Sequence, residues 1–266
     1  MASSSSRERM NAIPVLYSFA RSGGTLVNQL LGVHPGCLVL SEVNPAASYK
    51  PVVEQAVEWL GLVDGPEAVE FARLPYYRQI ASLHERAGRR SKRLVVRDWV
   101  TVNFLPGAAR EDTMPSRELE QALYLQRAGL RPLPLVVARR SAAVYGSITH
   151  HFANLRDLAL EVFEKSYLEY ARAVAGFPRI HLEALRARPA ATVAEILGLL
   201  KLDVSPGESL LAGFHEFRNC TGNTTLQEQK GSAVAKKILP PEAAPGEAAL
   251  SERPCLAEAD RLMGYA

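Results

Sequence analysis

The chain has 266 residues, of which 47% are hydrophobic and 22% are charged, and its formal net charge is +3. This composition is typical of a globular protein and excludes an intrinsically disordered one, while the length suits one α/β domain. The mild charge, without a long run of Lys or Arg, indicates no nucleic-acid partner. Three widely spaced cysteines, Cys37, Cys220 and Cys255, exclude a disulfide scaffold and a CxxC-type zinc site.

The N-terminal segment, residues 1–11, is polar and contains four consecutive serines. We therefore expect a disordered tail there, followed by a single domain over residues 12–266. Because this segment has no apolar stretch, we expect no secretory signal. No part of the chain reaches 18 uninterrupted apolar residues, so the sequence predicts a cytoplasmic protein without a membrane span.

Short apolar runs, each followed by helical patterning or a turn, are typical of strands in a parallel sheet that is covered on both faces. They are Ile13–Tyr17, Cys37–Leu40, Leu94–Val96, Leu133–Ala138 and Arg179–Leu182. Helical patterns lie at Thr25–Gly32, Pro51–Leu62, Pro66–Leu74, Pro75–Ala87, Arg117–Ala128, Ala142–Phe152, Leu155–Ala175, Ala190–Leu200 and Cys255–Met263. This alternation predicts an α/β fold with a doubly wound, mostly parallel five-stranded sheet and a helical insertion at about residues 50–90. Leu239–Arg253, rich in Pro, Ala and Glu, is predicted to be a surface loop.

The turn after the first predicted strand, Ser18-Phe19-Ala20-Arg21-Ser22-Gly23-Gly24-Thr25, carries the strongest motif. A strand, a Gly-containing turn and a helix can bind phosphate, because backbone N–H groups converge at the helix N-terminus. Compared with the nucleotide-binding pattern G-x-x-x-x-G-K-[ST], Ser18 stands at the first glycine and Gly24 replaces the lysine. Arg21 supplies a cation earlier in the turn. The sequence thus predicts a P-loop-like phosphate-binding turn, the alternative being a βα turn without a ligand.

Arg21-Ser22-Gly23-Gly24-Thr25-Leu26 resembles the loop that binds the 5′-phosphosulfate in sulfotransferases that use 3′-phosphoadenosine-5′-phosphosulfate (PAPS). The resemblance implies that Arg21, Ser22, Gly23, Gly24, Thr25 and Leu26 bind PAPS. Glu42 follows Arg21 by 21 residues and so matches the catalytic base in the branch of this family that sulfates tyrosine. Arg97, at the end of the third predicted strand, matches the family's cation that faces the transferring sulfuryl group.

A second motif follows the fourth predicted strand, where Ser147 comes eight residues after Arg139. A forked arginine at the end of a strand and a hydroxyl on the next helix can hold one phosphate between them. This spacing resembles the family's 3′-phosphate signature, although Arg140-Ser141 stands where the family has Asp-Pro. The resemblance thus assigns Arg139 and Ser147 to the 3′-phosphate of PAPS.

Looser resemblances extend to residue 265. Thr221-Gly222-Asn223 is similar to the family's turn in the C-terminal loop that closes over the adenine and the 3′-phosphate. One of three lysines would then reach that phosphate: Lys230, Lys236 or Lys237. Glu183 lies in a stretch similar to the family's fifth strand and is expected to be structural. Four aromatic residues of the helical insertion fit either core packing or a lid over an acceptor pocket: Trp59, Phe71, Tyr76 and Tyr77.

Taken together, the resemblance predicts transfer of a sulfuryl group from PAPS to a small-molecule acceptor with a hydroxyl or phenol, leaving adenosine 3′,5′-bisphosphate and needing no metal. The expected catalytic residues are Glu42, Arg21 and Arg97, with Glu42 taking the acceptor proton and Asp98 as the reserve base. A P-loop kinase is an alternative, since Asp98 could bind magnesium. Gly24 argues against it, because no lysine would bridge the β- and γ-phosphates of ATP. A non-catalytic nucleotide-binding module is the third interpretation.

Overall fold

The computed structural model describes residues 11–109, 114–203, 207–222 and 247–266. In these ranges five strands form one sheet in the order β2-β3-β1-β4-β5, and every neighbouring pair is parallel. The strands are β1 (Ala12–Tyr17), β2 (Cys37–Val43), β3 (Arg93–Asp98), β4 (Arg131–Ala138) and β5 (Arg179–His181). The predicted α/β class and the five-stranded parallel sheet are therefore confirmed.

Helices cover both faces of the sheet, and a hydrophobic core lies on each face. The helices Gly24–Gly32, Pro189–Leu199 and Gly207–Gly213 contribute to one core, and the helices Tyr76–Arg89, Glu120–Arg127, Ser141–His151, Leu160–Val174 and Pro254–Leu262 contribute to the other. The helices in chain order are α1 (Gly24–Gly32), α2 (Val52–Glu54, continued by a π-helical turn over Gln55–Trp59), α3 (Gly65–Arg73), α4 (Tyr76–Arg89), α5 (Glu120–Arg127), α6 (Ser141–His151), α7 (Leu160–Val174), α8 (Leu182–Ala187), α9 (Pro189–Leu199), α10 (Gly207–Gly213), α11 (Glu247–Ser251) and α12 (Pro254–Leu262). None of the described helices is both long enough and apolar enough to cross a bilayer.

β4 begins two residues earlier than predicted and contains Pro132 and Pro134. The N–H of Arg131 donates to the carbonyl of Asn11 on the β1 side, so the alternate positions 132 and 134 face the other side. β5 pairs with β4 only from Val136 onward, and hence the prolines remove no ladder hydrogen bond. Asn11, which we expected in the tail, thus pairs with the sheet, whereas residues 1–10 lie outside the described ranges.

Several predicted boundaries were wrong. The predicted helix Leu155–Ala175 is a 3₁₀ turn, Ala153–Leu155, followed by α7, and α5 starts three residues after Arg117. Arg117 has a left-handed backbone (φ 65°), which no helix accommodates. The predicted loop Leu239–Arg253 contains α11, while its residues 239–246 lie outside the described ranges. β5 ends at His181, and the short helix α8 that follows was not predicted.

The candidate site lies at the centre of the sheet. β1 has β3 on one side and β4 on the other, so the chain builds the sheet outward in two directions from β1. In open α/β sheets, ligands bind beyond the carboxyl ends of the strands at the point where this direction reverses. The turn after β1 lies at that point, with the ends of β2 and β3 on one side and the ends of β4 and β5 on the other.

Candidate active site

The turn between β1 and α1 has a tightly folded backbone. Arg21 and Gly23 both have positive φ values, 68° and 96°, and the N–H of Ser22 donates to the carbonyl of Phe19 at 3.1 Å. The N–H of Ala20 donates to Oγ1 of Thr101, which follows β3. A non-glycine residue with this backbone is strained, and such strain is typical of functional sites.

Because Gly24 has no side chain, Ser18 and Arg97 can pack directly against the turn. A Cβ at Gly24 would lie 2.1 Å from Oγ of Ser18 and 3.1 Å from Nε of Arg97. Two polar atoms there, Oγ of Ser22 and Nε of Arg97, are buried and have no hydrogen-bond partner among the described residues. Buried polar atoms are normally hydrogen-bonded, so unpartnered donors beside a glycine at a helix N-terminus fit the 5′-phosphosulfate that the sequence predicts here.

Arg97 and Glu42 form a buried ion pair at the ends of β3 and β2. Nη2 of Arg97 lies 2.5 Å from Oε1 of Glu42, and the two side chains are only 6% and 17% exposed. The same guanidinium donates to Oγ1 of Thr25 at 3.2 Å and to the carbonyl of Thr221 at 3.1 Å. Arg97 therefore joins two strand ends to the first turn of α1, and it holds the carboxylate of Glu42 beside the phosphate-binding turn.

The sequence predicts that β2 ends at Leu40, before Glu42. In the structure β2 extends to Val43, so Glu42 lies inside the strand. Its φ is 50°, and the pairing of β2 with β3 shifts register between Leu40 and Val43. This irregularity turns the backbone at Glu42 while Val43 still pairs with Asp98. The two candidate residues Arg21 and Glu42 thus share a left-handed backbone conformation, which costs on the order of 1–3 kcal/mol each.

Asp98 faces away from this cluster, because neighbouring residues of a strand point to opposite faces of the sheet. Its side chain is 1% exposed, and Oδ1 accepts a hydrogen bond from Nδ2 of Asn44 at 2.7 Å. Its Oδ2 and the hydroxyl of its register neighbour Tyr17 are both buried without a partner among the described residues. Burial raises the pKa of Asp98 to about 8, with the bond from Asn44 opposing the shift and Glu120 adding to it. This position does not suit the reserve base that we expected.

The raised pKa of Asp98 predicts a pH-dependent stability. The unfolded chain ionises Asp98 at about pH 3.9, so the folded protein retains the proton between about pH 4 and pH 8. The contribution of Asp98 to the free energy of unfolding is therefore full below about pH 4 and falls by up to about 1.4 kcal/mol per pH unit as the pH rises toward 8. We expect Asp98→Asn to remove this dependence. Urea unfolding of both proteins at pH 5 and pH 7.5 measures the change in the free energy of unfolding between these pH values. The same change in the wild type and in Asp98→Asn would show that Asp98 ionises normally.

Arg21, Arg139 and Ser147 meet on the other side of the turn. Nε of Arg21 donates to Oγ of Ser147 at 2.9 Å, and Nη1 of Arg139 donates to the carbonyl of Arg21 at 3.1 Å. Burial and the nearby charge of Arg139 lower the pKa of Arg21, while Glu42 opposes this shift. The structure therefore brings together the residues expected at the 3′-phosphate and adds Arg21 to them. Arg140 points elsewhere, since its Cζ lies 4.9 Å from the ring centroid of Tyr265.

Thr221 and Gly222, which resemble part of the family's loop over the adenine and the 3′-phosphate, contact the Arg97 side of the turn. The N–H of Thr221 donates to Oγ of Ser41 at 3.0 Å, and a Cβ at Gly222 would lie 2.2 Å from Oγ1 of Thr25. Gly222 also has a φ of 117°, which few other residues adopt. Asn223, Lys230, Lys236 and Lys237 lie outside the described ranges.

The aromatic residues of the insertion do not all have the same role. Phe71 is buried in the core, and the hydroxyl of Tyr76 donates to Oε1 of Gln121. Tyr76 also lines a pocket of about 350 Å³, together with residues that follow Glu42 in the chain, Asn44, Pro45, Ala47 and Ser48. Nearer to Glu42, the ring of Tyr49 is 71% exposed and lies 6.2 Å from the ring of Trp99. The N–H of Tyr49 donates to the carbonyl of Glu42 at 3.3 Å, so this aromatic pair lies next to the candidate base.

Sequence reasoning did not single out three residues near the turn. Ser41 bonds Thr221, and Thr101 accepts the N–H of Ala20. Arg186, on α8, is close enough to Arg139 for the two charges to interact. Ser41 was detectable as the hydroxyl residue directly before Glu42. A six-residue helix such as α8 has too little hydrophobic periodicity to be recognised, and so no signal pointed to Arg186.

No protein-family model matches the chain, and no curated protein matches its sequence. Among solved structures, the chain is similar to the sulfotransferase domain of the Synechococcus PCC 7002 olefin synthase, with a TM-score of 0.60, 18% identity, and 96% of this chain and 95% of that chain covered. It is also similar to the sulfotransferase domain from the curacin biosynthetic pathway, with a TM-score of 0.56, 15% identity, and 96% and 98% of the two chains covered. The chain therefore has the fold of sulfotransferase domains over nearly its whole length.

Proposed function

We propose that the protein is a sulfotransferase that uses PAPS as donor and transfers the sulfuryl group to an acceptor hydroxyl or phenol. The main support for this proposal is that arginine side chains lie on both sides of a single phosphate-binding turn. Arg97 lies on one side, next to Glu42, and Arg21 and Arg139 lie on the other, next to Ser147. A donor with a 5′-phosphosulfate and a separate 3′-phosphate needs such an arrangement, whereas a ligand with one phosphate group needs only the turn.

Different residues around the turn would hold different parts of this donor. When bound, PAPS supplies the sulfuryl group and leaves as adenosine 3′,5′-bisphosphate. The turn Arg21–Leu26 would hold the 5′-phosphosulfate through its backbone N–H groups and the hydroxyls of Ser22 and Thr25. Arg139 and Ser147 would hold the 3′-phosphate, with Arg21 reaching both parts. Fixed donors of this kind lower the barrier because they are oriented before the charge develops.

Glu42 and Arg97 would act on the acceptor side. The Glu42 carboxylate would take the proton of the acceptor hydroxyl as that oxygen bonds to sulfur. Arg97, whose Nε has no partner among the described residues, would donate to an oxygen of the transferring group. The exposed ring of Tyr49 beside Trp99 offers an apolar surface next to Glu42, which supports a small acceptor with an aromatic or otherwise apolar body. Such a protein would work in the cytoplasm, without a metal and without a nucleic-acid partner.

The kinase alternative receives less support. Asp98 would have to bind magnesium near Thr25, but its side chain is buried on the opposite face and retains its proton to about pH 8. Gly24 leaves the position of the phosphate-bridging lysine empty, since a Cβ there would already clash with Ser18.

Transfer of radiolabelled sulfate from PAPS tests the proposal directly. We expect labelled product with at least one acceptor from a panel of phenols and alcohols, and this activity should persist in the presence of EDTA. Phosphate transfer from ATP with magnesium, without sulfate transfer to any acceptor, would support the kinase instead. Binding of adenosine 3′,5′-bisphosphate without any transfer would favour the non-catalytic module.

Arg139→Ala should weaken the binding of PAPS and of adenosine 3′,5′-bisphosphate alike, by about 10- to 100-fold. The expected size follows from the loss of a charge-assisted hydrogen bond, about 1.5–3 kcal/mol. Isothermal titration calorimetry with the bisphosphate measures this loss, and Arg131→Ala, at the exposed opposite end of the same strand, is the matched control. An unchanged affinity in the Arg139 variant would remove Arg139 from the 3′-phosphate site.

A further inference from the structure

Arg186 lies on the helix that follows β5, and the first residue of this helix packs against the phosphate-binding turn. At the start of this helix, Leu182 packs against the turn, because a Cβ at Gly23 would lie 2.7 Å from Cδ1 of Leu182. Arg186 follows Leu182 by four residues, so the two side chains leave the same face of α8. β5 is also the hydrogen-bonded neighbour of β4, which ends just before Arg139. Arg186 therefore lies on the Arg139 side of the turn, away from Glu42.

The Arg186 guanidinium has an unsatisfied donor. Its Nε is buried and has no hydrogen-bond partner among the described residues. The acidic residue on the same helix, Glu183, accepts a hydrogen bond from the hydroxyl of Tyr265 at 2.7 Å. Burial lowers the pKa of Arg186 and the charge of Arg139 lowers it further, with Glu183 opposing the shift. A half-buried arginine near another arginine is stabilised by an anion that both can bind.

Arg139 interacts with two other arginines. Its Nη1 donates to the carbonyl of Arg21 at 3.1 Å, and its charge lowers the pKa of Arg21 as well as that of Arg186. Arg139 is therefore close enough to interact with both of the other guanidinium groups. Glu42 and Glu183 only partly offset their charge. Mutual repulsion of this kind is relieved by a dianion, which accepts several charge-assisted hydrogen bonds at once.

We propose that Arg186 is a third residue that binds the 3′-phosphate of the donor, together with Arg139 and Ser147. This inference rests on the proposed function, since it takes PAPS as the donor. The 3′-phosphate is the group on this side of the turn that carries two negative charges, and it distinguishes PAPS from adenosine 5′-phosphosulfate. Arg186 would thus contribute to the selection between these two donors.

Calorimetry with two nucleotides tests the role of Arg186. Adenosine 3′,5′-bisphosphate carries the 3′-phosphate, and adenosine 5′-monophosphate lacks it. We expect Arg186→Ala to weaken binding of the bisphosphate by about 10- to 100-fold and to change binding of the monophosphate less than about twofold. Arg186→Lys, which keeps a charge but lacks the fork, should give an intermediate bisphosphate affinity. The matched control is Arg188→Ala, which removes an exposed arginine two residues away and should leave both affinities unchanged.

The outcomes separate this inference from the proposed function. If the wild-type protein binds the bisphosphate and Arg186→Ala binds it equally well, Arg186 does not contact the 3′-phosphate. An equal loss for both nucleotides would also overturn the inference, because it would show a general effect on the turn. If Arg186→Ala is unstable, the affinities of Arg186→Lys for the bisphosphate and the monophosphate give the same test. If the wild-type protein binds no bisphosphate, the proposed function fails, whatever the variants do.

Discussion

Glu42→Gln is expected to lower the turnover of sulfuryl transfer by about 10²- to 10⁴-fold while the affinity for adenosine 3′,5′-bisphosphate changes little. The amide keeps the size of the carboxylate but cannot accept the acceptor proton, and a general base contributes a rate factor of this size. Donor binding should persist because Arg21, Arg139 and Ser147 hold the 3′-phosphate without Glu42.

Initial rates with saturating PAPS, together with calorimetry, measure the effect of Glu42→Gln. Glu195→Gln, which neutralises an exposed glutamate on α9, is the matched control and should keep the wild-type rate. A rate within threefold of wild type in Glu42→Gln would contradict the assignment of the base. Because Asp98 is buried on the opposite face, we do not expect it to replace Glu42.

Replacing Arg97 is expected to affect both stability and activity. Arg97→Met leaves Glu42 without its partner in a site where the two side chains are 6% and 17% exposed, and breaking such a buried pair costs about 3–5 kcal/mol. The variant also loses the hydrogen bonds to Thr25 and Thr221 and the donor for the transferring group. We therefore expect turnover to fall at least 100-fold.

A double variant separates these two effects of Arg97. Arg97→Met with Glu42→Gln removes both charges, so it should be less destabilised than Arg97→Met alone and still be inactive. The exposed pair of Arg172 and Glu258 is the control, with side chains 56% and 40% exposed, and Arg172→Met should cost less than about 1 kcal/mol. Urea unfolding measures all four proteins. If Arg97→Met were no less stable than Arg172→Met, the ion pair with Glu42 would not hold in solution.

Much of the fold was predictable because its signals are local. Strands buried on both faces have continuous apolar sequences, and so the five runs beginning with Ile13–Tyr17 were found at nearly correct positions. The turn was recognisable because Gly23 and Gly24 directly follow the first strand. The eight-residue spacing of Arg139 and Ser147 was also informative, since both lie next to Arg21 in the structure.

The remaining features depend on contacts between distant parts of the chain. β2 continues through the polar residues Ser41 and Glu42 to Val43, which pairs with Asp98 after a shift in register. The backbone of Ser41 is bonded by the side chain of Gln55, a contact that the apolar pattern does not show. The opposite orientations of Arg97 and Asp98 follow from alternation along a strand, but only once β3 is known to reach Asp98. Arg186 lies near the turn because Leu182 packs on Gly23, a contact between residues 159 positions apart that no local pattern encodes.

Thermal unfolding in the presence of two different ligands tests whether PAPS is the donor. Adenosine 3′,5′-bisphosphate at about 100 times its dissociation constant should stabilise the protein by about 2.7 kcal/mol, which corresponds to a rise in Tm of about 5–10 °C. ATP with magnesium at the same concentration should raise the Tm much less. A larger rise with ATP and magnesium than with the bisphosphate would contradict the account.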